Sequence, residues 1–243
     1  MKLDKLLKCK KLAAPVSVRS PNKVPSATYI EPSPCDKGIK NPLVSIGGFA
    51  RRILKKDQDG GVNRNYAKII VKEVDHLENI LTEILYFAKP AVPKFDTIDL
   101  NSIIKSTLEV LHSEIEKNNI SIEEHLDFNL PILWIDKNQI KRVLINLVKN
   151  AIQAMPDGGT IIVSTINERQ WVRVEIADTG VGIPEDDLDK LFDAFFTSKS
   201  TGSGLGLAIS AQIVNNHGGT IEVHNRIPKG TIFTIKLPVK APS

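Results

Sequence analysis

The sequence predicts an α+β protein in two parts: a helical hairpin, then an α/β sandwich whose mixed sheet is covered on one face by helices. Three observations lead there. Apolar residues recur alternately four and three positions apart in two early segments, as helical seams do. Pro90 and Pro93 then break that pattern. Beyond them, amphipathic helical stretches alternate with short runs of period two.

Residues 1–36 carry Pro15, Pro21, Pro25, Pro32 and Pro34 and follow neither period, so a disordered tail is expected there. Residues 37–90 form the expected hairpin. Its first seam is Ile39, Leu43, Ile46, Ala50 and Ile53; its second is Ile70, Val74, Leu77, Leu81, Ile84 and Ala88. The turn-rich segment 57–63 joins them, and a short link implies an antiparallel pair. One apolar stripe on so small a hairpin is best buried by dimerising into a four-helix bundle, although two core helices of an ordinary domain would show the same seams.

Residues 91–243 form the second domain. An extended segment is expected at 95–98, helices at 100–117, 137–155 and 206–216, and strands at 120–124, 161–166, 171–178, 221–224 and 231–237. In the run 171–178, Val172, Val174 and Ile176 alternate with Arg173 and Glu175, the mark of a sheet buried on one face.

Composition excludes several classes. The chain has 243 residues, with 32 basic and 28 acidic side chains and a net charge of +4. That excess is too small and too dispersed for a nucleic-acid surface; the early lysines 2, 5, 8, 10 and 11 read as a solvated tail. Cys9 and Cys35 make no disulfide framework, which favours a reducing cytoplasm. No apolar run approaches the roughly 18 residues a membrane span needs, and the start lacks a signal-peptide core.

Three motifs carry chemistry. In Asp178-Thr179-Gly180-Val181-Gly182-Ile183-Pro184, a strand-end carboxylate can accept from an exocyclic amine while glycines let a flat base approach the backbone. Alone, the segment also fits a tight turn. Gly202-Ser203-Gly204-Leu205-Gly206 runs into a helix whose N-terminus offers N–H groups and a positive dipole end to phosphate. It does not follow a strand, which argues against a dinucleotide fold. Asn146 and Asn150 lie one turn apart on a helix, where magnesium coordination would satisfy an amide oxygen. Amides capping nearby loops would do so as well.

Together these segments resemble the ATP-binding domain of two-component sensor histidine kinases, in the superfamily that includes type II topoisomerases and heat-shock chaperone ATPases. NLVKNAIQAMPDGG resembles the N box, ADTGVGIP the G1 box, LFDAFFTSK the F box and TGSGLGLAIS the G2 box. The likeness runs from about residue 38 to 238. It implies ATP and magnesium as cofactors, with Asp178 on the adenine amine beside Gly180 and Gly182. It implies Asn150 on magnesium and Asn146 near the phosphates. Gly202, Gly204, Leu205 and Gly206 would form the lid, with Lys199 adding charge. A response regulator is the implied protein partner, and a homodimer or a heterodimer with another sensor kinase the implied assembly.

The hairpin resembles the family's dimerisation and phosphoacceptor domain, with one departure. The acceptor box continues as Ile39-Lys40-Asn41-Pro42-Leu43, but Lys37 stands in the place of the nucleophilic histidine and Gly38 in that of its acidic partner. A lysine exposed at neutral pH is protonated and a poor nucleophile, so phosphorylation at this position is not expected. His76 reads as a helix-flank residue, and His217, before Gly218-Gly219, as a helix C-cap whose imidazole favours the dipole. The helix pattern and the motif fail within two residues of each other, which suggests that residues 1–37 arose by truncation, recombination or a shifted frame. Three functions follow as alternatives: a kinase core acting on a partner, an ATP-binding pseudokinase, and a plain ATPase. The last is disfavoured because an amide at Asn146 cannot act as the base that activates water.

Overall fold

The computed structural model describes residues 16–17, 46–53, 62–198 and 203–239. Lys37, Gly38, the turn at 57–61, Lys199 and Gly202 lie outside the described residues. In chain order the elements are β1 (Val16–Ser17), α1 (46–53), α2 (Val62–Ala88), β2 (Asp96–Ile98), α3 (Leu100–Lys117), β3 (Ile120–His125) and β4 (Leu133–Ile135). There follow α4 (Lys137–Gln153), β5 (Gly159–Glu168), β6 (Trp171–Asp178), α5 (Glu185–Leu188), α6 (Gly206–Asn216), β7 (Thr220–Asn225) and β8 (Thr231–Pro238).

Small residues set the packing of α1 on α2. A Cβ added at Gly47 would stand 3.0 Å from Val74 Cγ1, and Ala50, Ala67 and Val74 are buried. Arg51 and Asp75 bridge the pair at 2.7 Å, but both are exposed, and such surface pairs contribute about 1 kcal/mol at most. Close approach of small side chains therefore holds the two helices together more than charge does.

The second domain is the expected sandwich. Its sheet runs β1-β7-β8-β6-β5-β3, antiparallel throughout except for the parallel β3–β5 pair. Alternation on β6 sends Val172, Val174 and Ile176 inward and leaves Trp171, Arg173 and Glu175 half-buried. The inward set meets α3 (Ile103, Ile104, Leu111), α4 (Val143, Leu144, Leu147) and α6 (Ile209, Ile213) in one core. Most of β3, the edge strand, faces water through Ser121, Glu123, Glu124 and His125.

Three elements were not legible in the sequence. β4 pairs with β2 in a separate two-stranded sheet, α5 is a single turn, and Val16–Ser17 pairs with Val223 and Glu222. Each is too short to display a period.

Buried polar groups anchor the helix ends. Asp136 caps α4: its Oδ1 accepts from the Asn138 and Gln139 N–H groups at 2.9 and 3.0 Å, and its Oδ2 from Lys94 N–H at 2.7 Å. Burial pushes this carboxyl up, yet the Gln139, Lys94 and Asn138 bonds together with nearby His217 outweigh it and hold the pKa below the usual carboxylate value. His217 does cap α6, but not as a cation complementing the dipole. It is wholly buried; Nδ1–H donates to Ile213 O at 2.8 Å and Nε2 accepts the Asp136 N–H at 2.9 Å. Burial lowers its pKa, against the opposing influence of the Ile213 bond and Asp136. The neutral ring thus ties the end of α6 to the start of α4.

Because the folded pKa of His217 is depressed, its contribution is complete above histidine's ordinary value and is lost as pH falls from about 6.5 through the lower folded value. Asp136 adds a second loss at more acidic pH, as its own depressed pKa is crossed. Urea unfolding between pH 8 and pH 5 should show stability declining over the first window. His217→Phe should cost about 1–3 kcal/mol at pH 8 by orphaning the buried Asp136 N–H, and should flatten that decline.

Candidate functional site

A cleft of about 730 Å³ lies between α2, α4, the loop after β6 and the start of α6. Asp178, at the end of β6, forms its floor. The carboxylate is buried, and its Oδ1 accepts the Gly180 and Thr231 N–H groups at 2.8 and 3.1 Å. Burial pushes the Asp178 pKa up; the bonds from Gly180 and Thr231 and the charge of Arg226 offset this only in part. A buried carboxylate in this condition is well served by a hydrogen-bond donor arriving with a ligand.

Two glycines explain the tight packing around it. At Gly180 an added Cβ would stand 2.6 Å from the Ala154 carbonyl, whose oxygen also accepts the Val181 N–H at 3.1 Å. At Gly230, with φ at +115°, a Cβ would collide with the Asp178 carbonyl oxygen. Gly180 thus seats the loop after β6 on the end of α4, and Gly230 lets the turn before β8 press on Asp178.

α4 has two working faces. Ile140, Val143, Leu144, Leu147 and Val148 enter the core, while Arg142, Asn146, Lys149, Asn150 and Gln153 line the cleft. The predicted one-turn spacing thus places both asparagines in the cavity. Asn146 Nδ2 donates to Ser210 Oγ at 2.9 Å, and a Cβ at Gly206 would stand 2.6 Å from Asn146 Oδ1. Gly206 therefore lets the N-terminus of α6 approach α4.

Asn146, Asn150, Asp178, Gly182, Gly204 and Gly206 converge on this cleft. Gly180 and Leu205 do not line it. Gly180 supports the loop from behind, and Leu205 is wholly buried at the N-cap of α6, where its apolar side chain joins the core. Sequence reasoning missed Thr231, Arg142 and the face of α2 that carries His76 and Glu83. The Gly230-Thr231 pair opening β8 was a usable signal for the first. Nothing in the α2 heptads marked the last. The oxygens of the two amides suit a hard divalent cation, the buried carboxylate suits an incoming N–H donor, and Gly204, at φ +70°, packs against the Phe195 backbone.

Residues 135–241 match the family described as histidine kinase-, DNA gyrase B- and HSP90-like ATPases. The chain belongs to this family, on its sensor histidine kinase branch. The sensor histidine kinase ZraS of Escherichia coli is 36% identical over 83% of this chain and 43% of its own length. Sporulation kinase E of Bacillus subtilis is 37% identical over 83% of this chain and 27% of its own length. The chain therefore spans less than half of these relatives. The catalytic domain of histidine kinase ThkA superposes with a TM-score of 0.57 at 36% identity, covering 60% of this chain and 96% of that domain. ThkA in complex with the response regulator TrrA gives a TM-score of 0.65 at 35% identity, over 85% of this chain and 60% of that one. Among the described residues no helix is long and apolar enough to cross a membrane.

Because the Asp178 pKa is raised in the fold, the stability linked to its protonation is present below the ordinary carboxylate value and is lost as pH rises through the raised folded value. At pH 8 the site holds a buried charge that its bonds from Gly180 and Thr231 and the charge of Arg226 compensate only in part. Asp178→Asn, which keeps the acceptor for Gly180 and Thr231, should therefore leave the thermal midpoint of the nucleotide-free protein unchanged or higher in calorimetry. Gly180→Ala, by contrast, should cost about 1–3 kcal/mol through overpacking against Ala154.

Proposed function

We propose that this chain is the ATP-dependent catalytic core of a cytoplasmic two-component sensor kinase. The observation that carries the reading is the convergence of Asp178, Asn146 and Asn150 with the glycines of the α6 N-terminus on one cleft. In this reading Asp178 accepts the adenine amine, and Thr231 positions the carboxylate. Asn150 holds magnesium, Asn146 sits near the phosphates, and Lys199, Gly202 and Gly204 belong to the lid. Magnesium would supply charge neutralisation at the phosphates.

The assembly we infer is a dimer built on the hairpin. Ile70, Leu77 and Ile84 of the second seam remain 39%, 46% and 39% exposed in the single chain. A second copy, or a related kinase, would cover that stripe in a four-helix bundle. A response regulator is the partner suggested by the ThkA–TrrA complex. Lys37 and Gly38, at the acceptor and acidic-partner positions, support a kinase whose first helix takes no phosphate. The same substitution favours a second reading, an ATP-binding pseudokinase that regulates a partner through the bundle.

Calorimetric titration with MgATP tests the core of the proposal. Asp178→Asn should weaken binding by roughly ten- to a hundredfold, the equivalent of about 1.5–3 kcal/mol for a charge-assisted hydrogen bond. Unchanged affinity would remove the assignment. Leu77→Glu with Ile84→Glu should convert a dimer to a monomer in light scattering while leaving MgATP binding intact. Incubation with γ-labelled ATP and an intact sensor kinase separates the two readings: label on the partner means transfer, and binding without transfer means a pseudokinase.

A further inference from the structure

The five histidines have very different surroundings. His112 and His125 are exposed on the outside of the second domain, beside Glu116 at 3.3 Å and Glu123 at 3.9 Å. His217 is buried with both ring nitrogens engaged, and His224 lies on β7 away from the cleft lining. His76 alone among them lines the cleft, half-buried, and its ring makes no hydrogen bond or ion pair with the described residues.

The orientation of α2 is held by three contacts near its C-terminal end. The Ser203 hydroxyl donates to the Glu83 carboxylate, the Arg142 guanidinium lies 3.9 Å from the Tyr86 ring centroid, and Phe87 meets the Phe195 ring edge-on with centroids 6.4 Å apart. They turn one stripe of α2 toward the second domain. His76, Asn79, Ile80 and Glu83 follow a spacing of three, one and three, and all line the cleft. His76 stands two turns before Glu83, about 10 Å along the axis. This stripe is separate from the one formed by Ala67 and Val74, which is buried toward α1.

We propose that His76 is the phosphoacceptor of this chain, taking the terminal phosphoryl group of a nucleoside triphosphate bound in the cleft. The inference rests on the nucleotide reading of that cleft. In the step, the lone pair of the unprotonated ring nitrogen attacks the γ-phosphorus. The bond from phosphorus to the β,γ-bridging oxygen breaks, and its electron pair leaves with the nucleoside diphosphate. The remaining ring N–H releases its proton to water through the open side of the cleft, giving a phosphoimidazole whose ring is uncharged and whose phosphoryl oxygens keep their negative charge. A ring nitrogen with a free lone pair is a nucleophile toward phosphorus, whereas a lysine ammonium, the group the sequence offers at the expected position, has no lone pair to give.

The test uses the full chain with MgATP labelled at the γ-phosphate, at pH 8. Calorimetry first establishes binding, and mass spectrometry of peptides kept at alkaline pH then locates the phosphate. The expected result is an acid-labile phosphate on the peptide carrying His76, and its loss in His76→Gln at MgATP concentrations that calorimetry shows to saturate that variant. Independently, the His76 ring resonances should shift on addition of a non-hydrolysable ATP analogue, with the midpoint of that titration moved to roughly ten- to a hundredfold higher concentration in Asp178→Asn. Failure to bind nucleotide would overturn the reading of the cleft, and this inference with it. Binding with no phosphohistidine, with phosphate on another residue, or with label that survives His76→Gln would overturn the acceptor assignment while leaving the nucleotide site standing.

Discussion

The Asp178 carboxylate is enclosed by protein at the end of a central strand, with its burial only partly offset by two backbone N–H donors and the charge of Arg226. Much of the neighbouring architecture is arranged to keep it there. Gly180 lets the following loop lie on the Ala154 carbonyl, Gly230 lets the turn before β8 press against the strand end, and Thr231 supplies a bond that fixes the carboxylate's orientation. None of these features strengthens the core in an obvious way. The close approaches exclude side chains, and the buried charge opposes folding at neutral pH. Such a group is retained when a ligand completes its hydrogen bonding, which is the physical basis of the nucleotide reading.

The helix α4 joins this constraint to the rest of the fold. Its inner face contributes Val143, Leu144, Leu147 and Val148 to the core, while its outer face carries Asn146, Lys149 and Asn150. A rigid helix packed by its own apolar residues positions polar groups more accurately than a loop can. Asp136 caps one end of it and is linked to the buried His217 of the neighbouring helix. The cleft is thereby framed by elements whose positions are set in the interior rather than by the ligand.

Much of this was legible in the sequence. The long helices declared themselves by period, the Asn146–Asn150 spacing placed both amides on one face, and the alternation of Val172, Val174 and Ile176 identified a half-buried central strand. What stayed hidden was set by tertiary contact. Thr231 lies 53 positions from Asp178 yet donates to it, and β2 meets β4 through pairings too short to show a pattern. The role of His217 was misjudged because sequence position suggests the dipole of its helix, whereas burial decides the protonation of the ring. Leu205 was placed among ligand-contacting residues by its neighbours in the glycine loop, but its side chain follows its hydrophobicity into the core. The inward turn of His76 depends on ring and carboxylate contacts at residues 83, 86 and 87, which heptad reasoning does not weigh.

The outer strand β3 carries Glu123 and Glu124 along an edge that would otherwise offer unpaired backbone groups to any passing extended chain. Adjacent carboxylates repel an identical strand brought alongside, and they resist the edge-to-edge growth that leads to insoluble ribbons. Any neighbour that adds to the sheet on this side must therefore bring positive charge opposite the two carboxylates rather than a copy of the same strand.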